Sequence, residues 1–227
     1  MDSAHFQQTA TLTRVNGFIR SVYNWMAIGL AITGFVAFYV SRTFFIPPSI
    51  FFGLIIAELG LVFYLSARIH KIQATTATGL FILYSALNGV TLSSLFSYYT
   101  QASLISTFFV CAGTFAACSI YGMMTKRDLT SLGGFMMMGL FGIIIASVVN
   151  MFLQSSGMNV IISYVGVLVF VGLTAYDTQK LKVMAASQPD GLSNAVIRKG
   201  AIQGALALYL DFINLFIMLL RIMGNRD

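Results

Sequence analysis

ALALYLDFINLFIMLL, residues Ala205–Leu220, belongs to a run of membrane-spanning length, 201–220, that is uncharged except for one carboxylic acid, Asp211. A second acid stands in a similar setting at Asp177, in GLTAYDTQK (172–180). The chain has only seven acidic residues, so two inside apolar runs is a strong bias. A charged carboxylate at the centre of a bilayer costs at least about 2.5–3.5 kcal/mol. Such a residue normally faces a bundle interior or a wet cavity and marks an ion or proton path. The alternative is a protonated Asp that only bonds one helix to another.

Composition sets the class. Of 227 residues, 58% are hydrophobic and 9% are charged, where a soluble domain carries about 25% charged residues. The reading is an all-α, polytopic membrane protein built as one transmembrane domain, residues 21–227, behind a short polar cytoplasmic tail, residues 1–20. The net charge of +6 does not point to nucleic acid. The Lys and Arg residues stand at the ends of apolar runs, where anionic headgroups hold them. Cys111 and Cys118, seven apart in one apolar run, are about 10 Å apart along a helix, too far for a disulfide.

Charged residues divide the chain into spans of about 20 residues. They are 21–41, 43–67 (beginning at Pro47-Pro48), two within 72–125, two within 129–176, and 201–220. The intervening turns fall near 98–103 and 154–159. Residues 183–197 form the remaining loop, with Pro189-Asp190-Gly191 as its turn signal. With the N-terminus inside, ten Lys and Arg fall on the cytoplasmic side: Arg14, Arg20, Arg68, Lys71, Lys126, Arg127, Lys180, Lys182, Arg198 and Lys199. Three, Arg42, Arg221 and Arg226, fall on the other. This places the C-terminus outside, although a re-entrant last segment would suit Arg221 and Arg226 better.

Polar residues share helical faces. In the third span these are Tyr84, Asn88, Thr91, Ser94 and Tyr98; in the sixth, Gly166, Thr174 and Asp177; in the last, Gly200, Gln203, Gly204, Ala207, Asp211 and Asn214. Gly200 and Gly204 form a GxxxG that would admit a neighbouring backbone. A helix with small and polar residues on one face belongs at the centre of its bundle, so the last helix is expected there. Glu58, mid-span in IIAELGLVF, either lines the same path or bonds to a carbonyl as a neutral acid. Arg68 either snorkels to the interface or serves as a counter-ion for Asp177. His70 reads as an interfacial loop residue.

Three stretches, YGMMTKRDLTSLG (121–133), VGLTAYDTQKL (171–181) and ALALYLDFINLFIMLLRIMG (205–224), resemble the Bax inhibitor family, the transmembrane Bax-inhibitor-motif proteins, in its bacterial branch. The resemblance implies seven transmembrane helices with the last one central, in a bacterial inner membrane. It implies no enzyme and no resident cofactor. It also implies that an aspartate pair matching Asp177 and Asp211 senses pH and controls a calcium leak, so Asp177 and Asp211 are the candidate Ca²⁺ ligands. Arg68 is the candidate for the family's arginine latch on the sixth-helix Asp. Some bacterial members are associated with an ATP-dependent membrane protease that they modulate. A regulator of proteolysis or stress survival, acting by protein–protein interaction, is therefore the competing reading.

The physics of such a pair is independent of the family. Two carboxyls sharing one desolvated site cannot both ionise cheaply, so they exchange protons as a unit. Deprotonated, they offer hard oxygen ligands suited to Ca²⁺. Other classes fit poorly. An intramembrane aspartyl protease also uses two Asp residues, but Leu208-Tyr209-Leu210-Asp211 lacks the glycines that open its second site. A retinal protein needs a Lys in the last span. A secondary transporter would show matching broken helices in two halves.

Overall fold

The computed structural model describes residues 2–189 and 191–225, with side chains from residue 13 onward. Asp190 of the expected turn and Arg226 of the charge count lie outside the described residues. The order is α1 (Asp2–Thr43), α2 (Pro48–Arg68), α3 (Ala74–Leu92), α4 (Leu95–Tyr98), α5 (Gln101–Met124), α6 (Thr130–Leu153), α7 (Ser156–Ala186) and α8 (Asn194–Met223). Seven stretches are long and apolar enough to cross a membrane, and each corresponds to an expected span.

The breaks have local causes. α1 ends before Pro47-Pro48, because the residue preceding a proline is pushed out of helical geometry. Pro47 is extended (φ −60°, ψ 146°), and Pro48 opens α2, where its missing N–H is not needed. Thr100 caps α5 by accepting a hydrogen bond from the Ser103 N–H at 3.2 Å. α6 closes on Gln154 in left-handed geometry (φ 50°). Asn150 secures that turn, accepting from the Ser155 N–H at 3.0 Å and donating to Asn159 Oδ1 at 2.8 Å. Gly191 takes φ 84° between α7 and α8, a conformation open to glycine without cost.

Three elements run further than the charges imply. α7 continues through Lys180 and Lys182 to Ala186, and α8 begins at Asn194, so the loop expected over 183–197 shrinks to 187–193. α1 passes residue 20 without interruption. Val15, Phe18 and Ile19 are buried, and Arg14 donates to the Gln188 carbonyl at 2.9 Å. Residues 13–20 are therefore packed helix rather than a loose polar tail.

The contacts form two compact units. Unit 1 comprises residues 1–98 and 182–209; unit 2 comprises residues 99–181 and 210–227. In unit 1, α3 packs against both α1 and α2. Its core centres on Tyr209, whose ring meets Phe81 and Tyr84 edge-on at 5.9 Å each. In unit 2, Phe212 receives Phe108 and Phe115 at 5.7 and 5.4 Å. Both units therefore draw core aromatics from α8. α8 is the most enclosed span, with 56% of its apolar window buried, against 6% for α2 and 11% for α6. The fatty faces of α2 and α6, with Phe63, Phe135 and Phe141 exposed, suit lipid contact.

Candidate functional site: an aspartate pair in unit 2

Asp177 sits near the Lys-bearing end of α7, and the residues around it fix its position. Gly122 of α5 lies against the Ala175 carbonyl and Thr178, so close that a Cβ there would collide with backbone. Gly133 of α6 lies against the Tyr176 ring at a distance that leaves no room for a Cβ. Gln179 reaches back to the α5–α6 loop, accepting from the Leu129 N–H and donating to the Arg127 carbonyl, each at 2.8 Å. Residues 175, 176, 178 and 179 are thus all held by 122–133. The first two family-like stretches, 121–133 and 171–181, form one clamp around Asp177. Sequence reading found both but not their union, because nothing in the spacing of either names the other as its partner.

Asp211, on α8, is only 5% exposed, and its Oδ2 has no hydrogen-bond partner among the described residues. Asp177 is half-buried. The two carboxyls lie within reach of each other's charge. The cation acting on Asp177 is Lys180, one helical turn on, whose ammonium also stands 5.8 Å from the Tyr176 ring centroid. α7 and α8 meet closely further along, where Gly166 lies against Met218. A buried carboxylate oxygen without a partner is costly. Among the described residues no group of three or more His, Cys, Asp or Glu converges.

The other predicted residues fall in unit 1. Glu58, half-buried on α2, accepts a hydrogen bond from the Thr91 hydroxyl at 3.0 Å, and its charge reaches Tyr84 and Tyr209. Its partner is a hydroxyl on the polar face of α3, not a carbonyl. Arg68 ends α2 with an exposed side chain, and His70 is exposed in the turn that follows. The polar face of α3 is buried at Tyr84, Asn88 and Thr91; α3 ends at Leu92, so Tyr98, which is exposed, stands on the separate short helix α4. At Gly200 the neighbour is the Phe18 ring rather than a backbone, so the GxxxG of α8 admits an aromatic side chain there.

Some polar contacts were not legible in the sequence. Tyr209 and Thr33 share a 2.7 Å hydrogen bond, and Thr33 also approaches the Ser85 carbonyl at 2.8 Å. Arg198 spans the Trp25 ring (5.5 Å) and the Thr78 hydroxyl (3.1 Å). Aromatic and hydroxyl residues scattered over three helices give no sequence signal of such pairing.

Comparison with known proteins agrees with this architecture. Residues 15–227 match the family model described as "Inhibitor of apoptosis-promoting Bax1". "Inner membrane protein YbhL" of Escherichia coli is 53% identical over 215 residues, covering 92% of each chain. A Borreliella burgdorferi protein is 47% identical over 217 residues, covering 93% of each. A Deinococcus radiodurans protein is 41% identical over 230 residues, covering all of this chain and 98% of its own. Seven membrane-spanning helices, the clamp around Asp177 and matches along nearly the whole length lead to one assignment: the chain is an integral membrane protein of the Bax inhibitor family.

Proposed function

We propose that the protein is a pH-responsive leak path for Ca²⁺ or a similar hard cation, in which Asp177 and Asp211 bind and release both the proton and the passing ion. The observation that carries this reading is Asp211: 5% exposed, with one carboxylate oxygen unpartnered, and within reach of the charge of Asp177. A proton gained or lost there changes the charge in the interior of unit 2, which biases helix packing. Deprotonated, the same oxygens replace part of the hydration shell of a cation. With the N-terminus in the cytoplasm, as the Lys and Arg distribution argues, Asp177 lies towards the cytoplasmic face and Lys180 tempers its charge. Glu58, bonded to Thr91 in unit 1, is assigned an effect on the amount of flux rather than on its pH dependence.

The test is Ca²⁺ flux into liposomes that contain only the purified protein. Flux is expected to vary with pH over about 5–8. Asp177→Asn and Asp211→Asn should each flatten that response, and the double variant should add little, because the pair acts as one unit. Both single variants keeping the wild-type profile would refute the pair as sensor. Absence of flux together with co-purification of an ATP-dependent membrane protease would replace the channel with the regulator.

A further inference from the structure

The buried face of α5 carries polar groups that the aspartate pair does not explain. Its buried positions include Ser103, Thr107, Cys111, Phe115, Ser119 and Gly122, spaced by four and finally three residues. They therefore form one stripe along the helix. Thr107 is fully buried and Ser119 is 7% exposed, yet neither hydroxyl has a partner among the described residues. Hydroxyls in apolar helices ordinarily return their proton to the carbonyl one turn back. Thr114 on this same helix does so to Val110 at 2.9 Å, and Thr174 does so to Phe170 at 2.7 Å. Thr107 and Ser119 keep theirs free on the packed side.

A buried hydroxyl left unpaired is costly. With Asp211 Oδ2, these are the three such atoms among the described residues, and α8 packs on this face through Phe212, the residue after Asp211. Cys111 Sγ lies 3.6 Å from the Phe212 carbonyl, and the Phe115 ring lies 5.4 Å from that of Phe212. At one end of the stripe, Ser103 accepts hydrogen bonds from the Thr100 hydroxyl and the Asn225 N–H. At the other end Gly122 meets the clamp around Asp177. Ordered water can satisfy buried polar groups of this kind, each molecule needing two or more polar partners.

We infer that the buried face of α5 lines a file of water molecules running from Ser103 past Thr107 and Cys111 to Ser119, with the Phe115–Phe212 contact as its constriction. The ligand is water, and with it any hydrated cation or proton that uses the file. The hydroxyls of Thr107 and Ser119 supply water partners on either side of the aromatic contact. The contact itself is apolar and narrow, the kind of element that closes a path by dewetting. As the route of the leak, the file rests on the leak reading; as a hydrated track, it does not.

The experiment is radiolytic hydroxyl-radical labelling of the protein in liposomes, which marks side chains next to internal water. Phe115 and Phe212 should be labelled on the order of fivefold faster than Phe81, which is buried in unit 1, because only the former stand at the face that carries the Thr107 and Ser119 hydroxyls. Thr107→Val, isosteric and without the hydroxyl, should lower that labelling and cut flux about fivefold, while Thr107→Ser restores both. Phe115→Ala should raise flux with the pH response kept. Phe115 and Phe212 labelled no faster than Phe81 would overturn the file, whatever the flux shows. Fast labelling with pH-insensitive or absent flux would leave the file standing and remove the leak.

Discussion

Tyr209 and Asp211 are two residues apart on α8 and almost equally buried, yet their polar atoms are treated in opposite ways. The Tyr209 hydroxyl has Thr33 at 2.7 Å, and its ring rests between Phe81 and Tyr84. Asp211 leaves Oδ2 without a partner. A satisfied buried polar group fixes packing; an unsatisfied one costs free energy that packing does not return. The first half of α8 is therefore built as a core, and the second half carries a group kept available. Glu58 and Thr91 in unit 1 follow the pattern of Tyr209, and Thr107 and Ser119 in unit 2 follow that of Asp211.

The comparison makes ordered claims about stability. The largest effect is expected not at either residue but in the clamp that positions Asp177. Gly122→Val would drive a branched side chain into the Ala175 carbonyl, and forced overpacking of this kind costs about 1–3 kcal/mol. Unfolding in mild detergent should show that loss, and flux from the surviving protein should lose its pH response along with it. A Gly122→Val protein of normal stability would mean that α5 and α7 can separate freely, and the clamp would cease to explain the position of Asp177.

Tyr209→Phe comes next. It deletes one side-chain hydrogen bond while keeping the ring, and such bonds within membranes contribute about 0.6 kcal/mol on average and at most about 1.7. The loss should appear in unfolding and not in the pH profile of flux. Asp211→Asn should do the reverse. It removes a charge from a desolvated place without removing a bond from Oδ2, so stability should stay level or rise slightly while the pH response flattens. A marked destabilisation by Asp211→Asn would put Asp211 in the same structural category as Tyr209.

The spans could be read from sequence because charged residues in a membrane protein are confined to their ends. Where that reading fell short, the reason was the length of Lys and Arg side chains. Lys180 and Lys182 in α7, and Arg198 and Lys199 in α8, remain helical, because long side chains can place their charged heads away from their own backbone. Lys180 lies over the Tyr176 ring, and Lys199 donates to the His70 carbonyl at 3.1 Å. Counting apolar residues alone therefore underestimates helix length. Asp177, Asp211 and Glu58 stood out because an acid in an apolar run has a high cost. Thr107 and Ser119 did not, because a single hydroxyl in such a run is cheap when it bonds to its own helix, and only the packed face reveals that these two do not. The pairing of 121–133 with 171–181 likewise depends on two glycines whose neighbours lie about 50 residues away in sequence, beyond anything periodicity describes.

The smallest expected effect provides the sharpest control, because it involves an aspartate of the opposite kind. Asp128 lies in the exposed α5–α6 turn, one residue before the N-cap Leu129, and its carboxylate takes up the first N–H of α6. Its Oδ1 accepts from the Thr130 hydroxyl at 2.6 Å and from the Thr130 N–H at 2.9 Å. Those two bonds hold its carboxyl below the ordinary value of 3.8, the side-chain bond contributing most. A depressed folded-state value means that the ionised carboxylate stabilises the fold fully above the unfolded value. That contribution then disappears as pH falls through the folded one. Wild-type protein should thus lose a small increment of stability below about pH 4 that Asp128→Ala lacks at every pH, visible as converging melting temperatures in acid. Between about pH 5 and 8 Asp128 stays ionised, so Asp128→Asn should leave the pH profile of flux unchanged. If that variant flattened the profile as Asp211→Asn is expected to, the response would follow from the fold or surface charge of unit 2 rather than from its buried pair, and the distinction between the two halves of α8 would lose its functional meaning.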